Sequence, residues 1–594
     1  MNRWVFDLES DGLLDTISKI HCIVLRNADT DEVQQYGPGE DDIKAAMFTL
    51  MNAEEVIGHN IIAYDIPALQ KVYPGFDILG RVTDTLVLSR LIFTQLSDKD
   101  GIRANKDPES FPRRLIGSHS LKAWGLRLQN LKDDYDGGWE NYSQEMMDYC
   151  VQDTSVTKSL YELAMSKGFS QQSIDLEHLM ASICDRIGNN GWTFDKYKAQ
   201  VLYGKLAQLR ADIEHGLDEL FEPWETTETF IPKRNNKTLG YVKDEPFEKR
   251  KTIHFNPGSR RHIEFCLTKK YGWKPKKFTG NGHAQIDETV LGGLHYPEAQ
   301  KLADYFLLQK RIGQLAEGPQ AWLKRVDDDG RIRHQIVSCG TVSGRAAHRS
   351  PNLAQVPKTG LKFGKECREL FTVPDGWSLV GSDLSGLELR CLAHYLKDDG
   401  VYAKQILEGD IHTYNQKAAG LPSRDASKRF IYSLMYGGGD QLIGKIAGGG
   451  AKRGKELKAA FNKNIPAFAQ LQNGLRSAFE KRGYLKGLDG RHLMIRGNSE
   501  HKLLSQLLQS AGAIICKQWV ALCDQEINKQ LGPEQAYIVG WIHDEIQVAC
   551  KTEEVAEHVG NIATRMARET GETLKVKIPI EAEYSLGRTW ADTH

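Results

Sequence analysis

Alternation with a period of two opens the chain. In RWVFDLE, residues 3 to 9, Trp4, Phe6 and Leu8 fall on one face of a strand and Val5, Asp7 and Glu9 on the other, so two carboxylates point the same way. Farther on the period lengthens. IGHNIIAYDIPAL places Asp65 after an apolar segment, at the start of a helix with Pro67 in its first turn. MMDYCVQDTSVTKSLYEL has helical spacing, and Tyr149 and Asp153, four positions apart, share one face. DTLVLSRLIF, from Asp84 to Phe93, and SHSLKAWGLRL, from Ser118, read as packing elements. The polar run SKGFSQQS interrupts the pattern near residue 168, and SIDLEHLMASICDRIGNNGWTFD then reads as a helix ending at Gly188. A domain boundary is expected at 168.

From Asp195 to Arg325 the pattern is mostly helical, broken between Glu222 and Lys251 by a stretch too polar to pack, which is expected as an exposed loop or a small β-excursion. VSCGTVSGRAAHRSPNLAQVP, residues 337 to 357, is rich in turn formers and contains Arg345. WSLVGS, Trp377 to Ser382, is a strand that runs into Asp383, and LSGLELRCLAHYL continues as a helix. A helix from Arg424 to Tyr436 follows, with Ser423 as its N-cap and Gly437 to Gly439 ending it. HKLLSQLLQSAGAIICKQWVALCDQEI, His501 to Ile527, is a long amphipathic helix. It leads to IVGWIHDEIQVAC, Ile538 to Cys550, two β-rich runs around His543, Asp544 and Glu545, hence a hairpin with charge at its tip.

Composition narrows the class without choosing a function. The 594 residues are about four domains' worth of material, 40% hydrophobic and 26% charged, as in a soluble globular protein. No apolar run is long enough to span a bilayer, and MNRWVFDLES enters a strand directly, leaving no room for a signal peptide; a cytoplasmic chain is expected. Ten cysteines are scattered singly and read as small buried hydrophobes. The net charge of −1 gives no global sign of a polyanionic partner, so a nucleic-acid case rests on local basic patches at Lys233, Arg234 and Lys237, at Lys249 to Lys251, and from Lys269 to Lys277. Each could equally be a solvated surface. Gly449 to Glu456 imitates a phosphate-binding loop, but Glu456 stands where Ser or Thr is needed and no strand precedes it.

The carboxylates carry the chemistry. Adjacent acids at the 543–545 tip repel unless a cation or basic partner holds them, and a plain acidic turn is the alternative. If the Asp383 strand lies beside this hairpin, Asp383 and Asp544 could hold a pair of divalent metals. Arg424, Lys428, Tyr432 and Tyr436 recur every four residues; two cations and then two aromatics suit a triphosphate at one end and a base and sugar at the other. A solvated cationic stripe is the competing reading.

Two resemblances follow. The order D-x-E, D, Y-x3-D (Asp7, Glu9, Asp65, Tyr149, Asp153) resembles the proofreading 3′→5′ exonucleases, in which carboxylates hold two metals and the tyrosine hydroxyl helps position the attacking water. TVSGR with SPNLAQVP, DLSGLELRCLAHY, GDIHTYNQKAAGLPSRDASKRFIYSLMYGGGD, LLQSAGAIICKQW and HDEIQV are similar, in order, to family A DNA polymerases, most closely those of T-seven-like bacteriophages. The resemblance implies an α/β multidomain chain: a ribonuclease H-like 3′→5′ exonuclease domain over 1–168, then a right-hand polymerase domain over 169–594, with thumb about 190–325, palm about 326–411 and 497–594, and fingers about 412–496.

It further implies a phage replicative polymerase with two magnesium ions at each site, manganese being able to substitute. Asp383, Asp544 and the Leu384 carbonyl would hold metals at the polymerase site, with Glu545 in support; Asp7, Glu9, Asp65 and Asp153 would hold them at the nuclease site. His412, Arg424 and Lys428 would meet the dNTP phosphates, Tyr436 the templating position, and Arg345, Gln509 and His543 the DNA. Glu388 matches the gate that excludes a ribose 2′-oxygen, and Tyr432 the tyrosine that admits dideoxynucleotides. Primer-template DNA and dNTPs are the implied partners, with a helicase-primase and a single-strand binding protein beside them. The stretch from Glu222 to Lys251 is much shorter than the family's thioredoxin-binding insertion, so thioredoxin is not expected. A repair-type exonuclease/polymerase and a non-catalytic single-strand DNA-binding protein remain the competing classes, and seven placed acidic residues argue against the second.

Overall fold

The computed structural model describes residues 2–107, 109, 111–130, 135–495 and 502–594, the Asp218 side chain aside. The chain divides into two compact units. One contains residues 1–192, 333–355 and 373–594, and the other residues 193–332 and 356–372.

The larger unit begins with a five-stranded sheet of β1 (Arg3–Ser10), β2 (Ile20–Asn27), β3 (Val33–Tyr36), β4 (Glu55–Gly58) and β5 (Arg81–Asp84), in the order β3-β2-β1-β4-β5. β1, β4 and β5 run parallel, while β2 is antiparallel to β1 and to β3. The alternation of β1 has its expected consequence: Trp4, Phe6 and Leu8 enter a core with Ile23, Leu25 and Val56, and Val5 enters another on the opposite face with Ile57, Leu88 and Leu91. Helices α1 (Asp65–Val72), α2 (Thr85–Ile92) and α3 (Gln144–Met165) are among those that flank it.

The helix after the polar run, α4 (Gln171–Asn190), does not stop at Gly188. A Cβ there would meet the His334 carbonyl oxygen at 2.3 Å, so this glycine serves a close backbone approach inside the helix. Among the described residues α4 carries the most buried ion cluster: Glu177 pairs with Lys517 and with Arg491 (2.8 Å), and Arg491 with Asp489 (2.6 Å), all with fully or almost fully buried side chains.

A second sheet, entirely antiparallel, contains β6 (Ser378–Leu384), β7 (Ala536–Ile542), β8 (Glu545–Cys550) and β9 (Ala582–Gly587) in the order β7-β8-β6-β9. Its strands are buried against α8 (Leu503–Gln530) and α9 (Glu553–Thr573), in one continuous core with α5 (Leu387–Tyr395), α6 (Ile411–Ala419) and α7 (Arg424–Met435). The expected start of α8 at His501 lies outside the described residues. Its end runs past Ile527 to Gln530. The segment from Gly449 to Glu456 joins the helices Asp440–Ile446 and Ala451–Asn464, so no strand delivers it.

The smaller unit is built on helices Lys196–Asp218, Arg260–Tyr271 and Pro297–Ile312 around Leu217, Phe221, Ile263, Leu267, Trp273 and Leu302. The polar interruption is the β-excursion: Trp224–Phe230 and Phe247–Ile253 form a two-stranded antiparallel ribbon whose middle residues are all exposed. No helix among the described residues is long and apolar enough to cross a membrane.

Candidate active sites

The hairpin and the strand of the sequence reading are neighbours. β6 pairs with β8 so that Asp383 stands opposite Glu545, and the Leu384 N–H donates to the Asp544 carbonyl at 3.0 Å. At the tip His543 adopts a left-handed φ of 61°, and its carbonyl accepts from Trp541 Nε1 at 3.1 Å. Like charges converge here. Burial first, then Glu545 and Glu583, raise the Asp383 carboxyl above its ordinary range. Burial, Glu388 and Asp383 push Asp544 up to about 6. Such a donor set suits a divalent cation, which offsets the repulsion and takes oxygen ligands.

Glu545 is held differently. Its Oε1 accepts from Gln547 Nε2 and from Trp590 Nε1, each at 2.6 Å, and its Oε2 pairs with His594 Nδ1 at 2.7 Å. Burial raises this carboxyl, but those bonds outweigh it and keep it below the usual glutamate range. Trp590 in turn stacks on Trp192 at 5.3 Å, and Thr593 Oγ1 donates to Gln547 Oε1 at 2.8 Å.

The chain turns from β6 into α5 through Gly386 at φ 60°, which puts Glu388 in the first helical turn facing the carboxylates. Helix α7 begins as the sequence indicates, with the Ser423 hydroxyl accepting from the Ala426 N–H, and ends at Met435 with Tyr436 as its cap. Arg424 Nε pairs with Asp410 Oδ2 at 2.8 Å, and Asp410 caps α6, so that His412 lies beside the cations. Burial, Arg424 and Lys428 lower the His412 imidazole. Tyr432 is raised by burial, Glu388 and Asp544, which sets its ring near the carboxylates. Tyr436 donates to Glu388 Oε1 at 2.8 Å and is raised to about 12 by burial and that partner.

Arg345 follows a turn at Gly344 (φ 81°), its N–H bonded to Thr341 Oγ1 at 3.0 Å. Gln506 on α8 donates to the Val342 carbonyl at 2.8 Å, while Gln509, half-buried one turn on, donates to Ser505 Oγ at 3.1 Å. The Arg345 guanidinium acts on the Tyr436 hydroxyl, lowering it against the larger effects of burial and Glu388, so this loop lies near the end of α7.

A second cluster forms on the first sheet. One ligand atom each of Asp7, Glu9 and Cys150 lie within 4.8 Å of one another. Asp65, at the start of α1, is raised to about 7 by burial and by Asp84 and Asp153, and its carboxylate accepts from the Leu8 amide of β1. Strand β1 and helix α3 thus bring Asp7 and Glu9 to Cys150, while Asp65 of α1 feels Asp153 of α3. Tyr149 packs edge-on against Trp139 at 6.5 Å.

Sequence reasoning missed several members. Asp84, read as part of a packing element, accepts from the Asn60, Ile62 and Leu86 amides at 2.8–3.1 Å, and an acid just before an apolar helical run is an N-cap signal that could have found it. Cys150, Gln547 and Trp590 had no local signal.

Residues 231–592 match the sequence profile of DNA polymerase family A. The chain belongs to that family. The polymerase is 36% identical to the DNA-directed DNA polymerases of Enterobacteria phage T3 and of Escherichia phage T7, each over 713 residues, with 99% of this chain and 100% of the relative covered. Those alignments are longer than this chain of 594 residues, so these relatives carry segments that it lacks. The fold of the polymerase is also that of the POL domain of Pol1 from M. smegmatis, solved in complex with DNA primer-template and dNTP. The TM-score is 0.74 at 16% identity, with 99% of this chain and 96% of the other covered.

Proposed function

We propose that this DNA-directed DNA polymerase of family A copies a primed template from dNTPs at the Asp383/Asp544 site and removes mispaired primer ends by 3′→5′ hydrolysis at the Asp7/Glu9/Asp65/Asp153 site. The observation that carries the synthetic site is the join of β6 to the 543–545 tip, Leu384 N–H to Asp544 carbonyl, with a row of cations on the facing helix. Divalent cations bound by these carboxylates, magnesium or manganese, would supply Lewis-acid stabilisation of the oxygens that gain charge in phosphoryl transfer.

The chain's own residues supply position and charge. Lys428, Arg424 and His412 line one stretch of α6 and α7 and neutralise the triphosphate, with Asp410 fixing the Arg424 fork. Tyr432 and Glu388 bound the sugar, and the Tyr436 ring covers the templating position. Glu545, kept ionised by Gln547, Trp590 and His594, adds a fixed negative charge beside the two ligating aspartates. The Gly344 turn presents Arg345 to the primer strand, with His543 and Gln509 as further DNA contacts.

The mixed sheet with Asp7 and Glu9 on its central strand, and Asp65 and Asp153 converging from two helices, supports a ribonuclease H-like proofreading module. Tyr149, one turn before Asp153 on α3, positions the attacking water. Extension of a labelled primer and degradation of single-stranded DNA, both in magnesium, test the two halves together. Asp544→Ala abolishes extension and spares degradation; Asp7→Ala with Glu9→Ala does the reverse, each loss exceeding about 10²-fold. An Asp544→Ala chain that still extends primers refutes the assignment.

A further inference from the structure

Taking Asp7, Glu9, Asp65 and Asp153 as the proofreading site, we infer that Arg90 and Arg349 form a two-guanidinium clamp on a phosphodiester of the single-stranded primer end. Arg90 stands in the last turn of α2, and Arg349 ends the strand Ala347–Arg349, which pairs with Gln335–Val337. Both line a cleft of 1020 Å³ that has Ser118, His119 and Thr341 on its walls. A second cleft, of 470 Å³, shares both arginines and reaches Tyr64, the neighbour of Asp65. The pair therefore stands where the two clefts adjoin, one running toward the turn that carries Arg345 and the other toward the acids of the first sheet.

Its charge is not balanced. Among the described residues no hydrogen bond or ion pair takes up the Arg90 guanidinium, and Arg349 Nε donates to a neutral acceptor, Gln335 Oε1, at 2.8 Å. Burial, then Arg349, lowers Arg90, so the two cations are close enough to repel. Asp84 attracts Arg90, but its carboxylate accepts from the Asn60, Ile62 and Leu86 amides. The remaining basic groups add no free charge: burial, Arg90 and Arg127 push the His119 imidazole down to about 3, and Arg127 pairs with Asp100 at 2.8 Å. Two half-desolvated guanidiniums without a carboxylate between them are costly until an anion arrives, and a phosphate accepts from both forks at once. Clefts that continue on both sides of the pair suit a strand passing through, where a free nucleotide would need one closed pocket.

Binding of labelled single-stranded oligonucleotides to the full chain is measured in chelator, with one linkage at a time replaced by a neutral methylphosphonate. The expected result is one sensitive linkage near the 3′ end, whose neutralisation weakens binding by about tenfold or more. Arg90→Gln weakens binding of the unmodified strand by the same factor and adds nothing on the strand neutralised at that linkage. Arg349→Gln, at an exposed position, behaves likewise and decides the matter even if Arg90→Gln fails to fold. Each substitution also flattens the dependence of log affinity on log salt by about 0.7, the share of one phosphate contact on a single strand. No sensitive linkage, or arginine and linkage losses that multiply, overturns the clamp. Deoxythymidine monophosphate that binds as tightly as the strand, with the same loss in Arg90→Gln, makes the ligand a free nucleotide and overturns the strand assignment. Hydrolysis of single-stranded DNA in magnesium separates the two readings: hydrolysis without the coupled losses overturns the clamp alone, and coupled losses without hydrolysis overturn the nuclease reading alone.

Discussion

The Tyr436 hydroxyl donates to Glu388 Oε1 at 2.8 Å, latching the cap of α7 to the first turn of α5. If Glu388 bounds the sugar as proposed, this bond holds its carboxylate in place against a ribose 2′-oxygen. Glu388→Ala should raise ribonucleotide incorporation relative to deoxynucleotide by about 10–200-fold, the range that one steric group commands. Tyr436→Phe, which leaves the carboxylate but frees it to swing, should give a smaller rise. Paired kcat/KM values for the ribo- and deoxynucleotide check both.

Tyr432 lies close to Asp544 and Glu388. Its hydroxyl can replace the bond lost when a nucleotide lacks a 3′-oxygen, so the wild type should terminate efficiently with dideoxynucleotides. Tyr432→Phe should lower dideoxy incorporation by about tenfold or more, the worth of one hydrogen bond. Equal termination ladders from the two proteins would contradict this.

Trp590 can lose its bond and keep most of its packing. Trp590→Phe retains an aromatic ring against Trp192 and removes the 2.6 Å donation to Glu545, a charge-assisted bond worth roughly 1.5–3 kcal/mol. The Glu545 carboxyl is held below its ordinary range, so its ionised form is favoured above the unperturbed value and lost only as pH falls through the depressed one. The substitution moves that loss upward, and the acid limb of the extension rate should shift to higher pH.

Asp65 carries the opposite sign. Its carboxyl is raised to about 7 from an unfolded value of about 3.9, so the stability of its neutral form is complete below the lower value and disappears as pH rises through the upper one. Asp65→Asn, permanently neutral, should melt at a higher temperature than the wild type at pH 8 in chelator, by an amount on the order of 1–4 kcal/mol. The advantage should vanish at pH 3 to 4, roughly where the wild-type acid is protonated too. Differential scanning fluorimetry across pH reads it directly.

The ribbon Trp224–Ile253 pairs seven residues with seven and is exposed along its middle. Such a short, polar element offers little apolar surface to a protein clamp. The length of product made in one binding event should be the same with and without thioredoxin; a several-fold increase with it would refute the expectation.

Local signals carried much of this far. The 543–545 tip, the β1 alternation, the Ser423 cap and the four-residue stripe of α7 all depend on spacing within one element, and each stands where the pattern puts it. What escaped depends on pairs distant in sequence. Glu545 meets Trp590 45 residues later, and Lys517 meets Glu177 across 340. Gly188 misled for a related reason: its meaning lies in the His334 backbone and not in its own helix. Cys150 is the buried core residue the sequence indicates, but its closeness to Asp7 and Glu9 is not visible from α3 in one dimension.

The ion cluster on α4 sets where the molecule can be divided. Glu177 neutralises Arg491 and Lys517, while the next residue, His178, accepts the Asp84 N–H through Nε2 at 2.8 Å. A fragment beginning after α4 would strand the buried Lys517 and leave Arg491 with Asp489 alone, a penalty of roughly 3–5 kcal/mol for the lost partner. One beginning just before Gln171 keeps Glu177 with its cations and gives up the His178 bond, the Arg81–Asp175 pair and the packing of Ile174 against Val5, Ile57 and Leu88. The workable crossover for exchanging modules between related polymerases is therefore the short stretch ahead of α4, and a helix that follows the first sheet in sequence travels with the second.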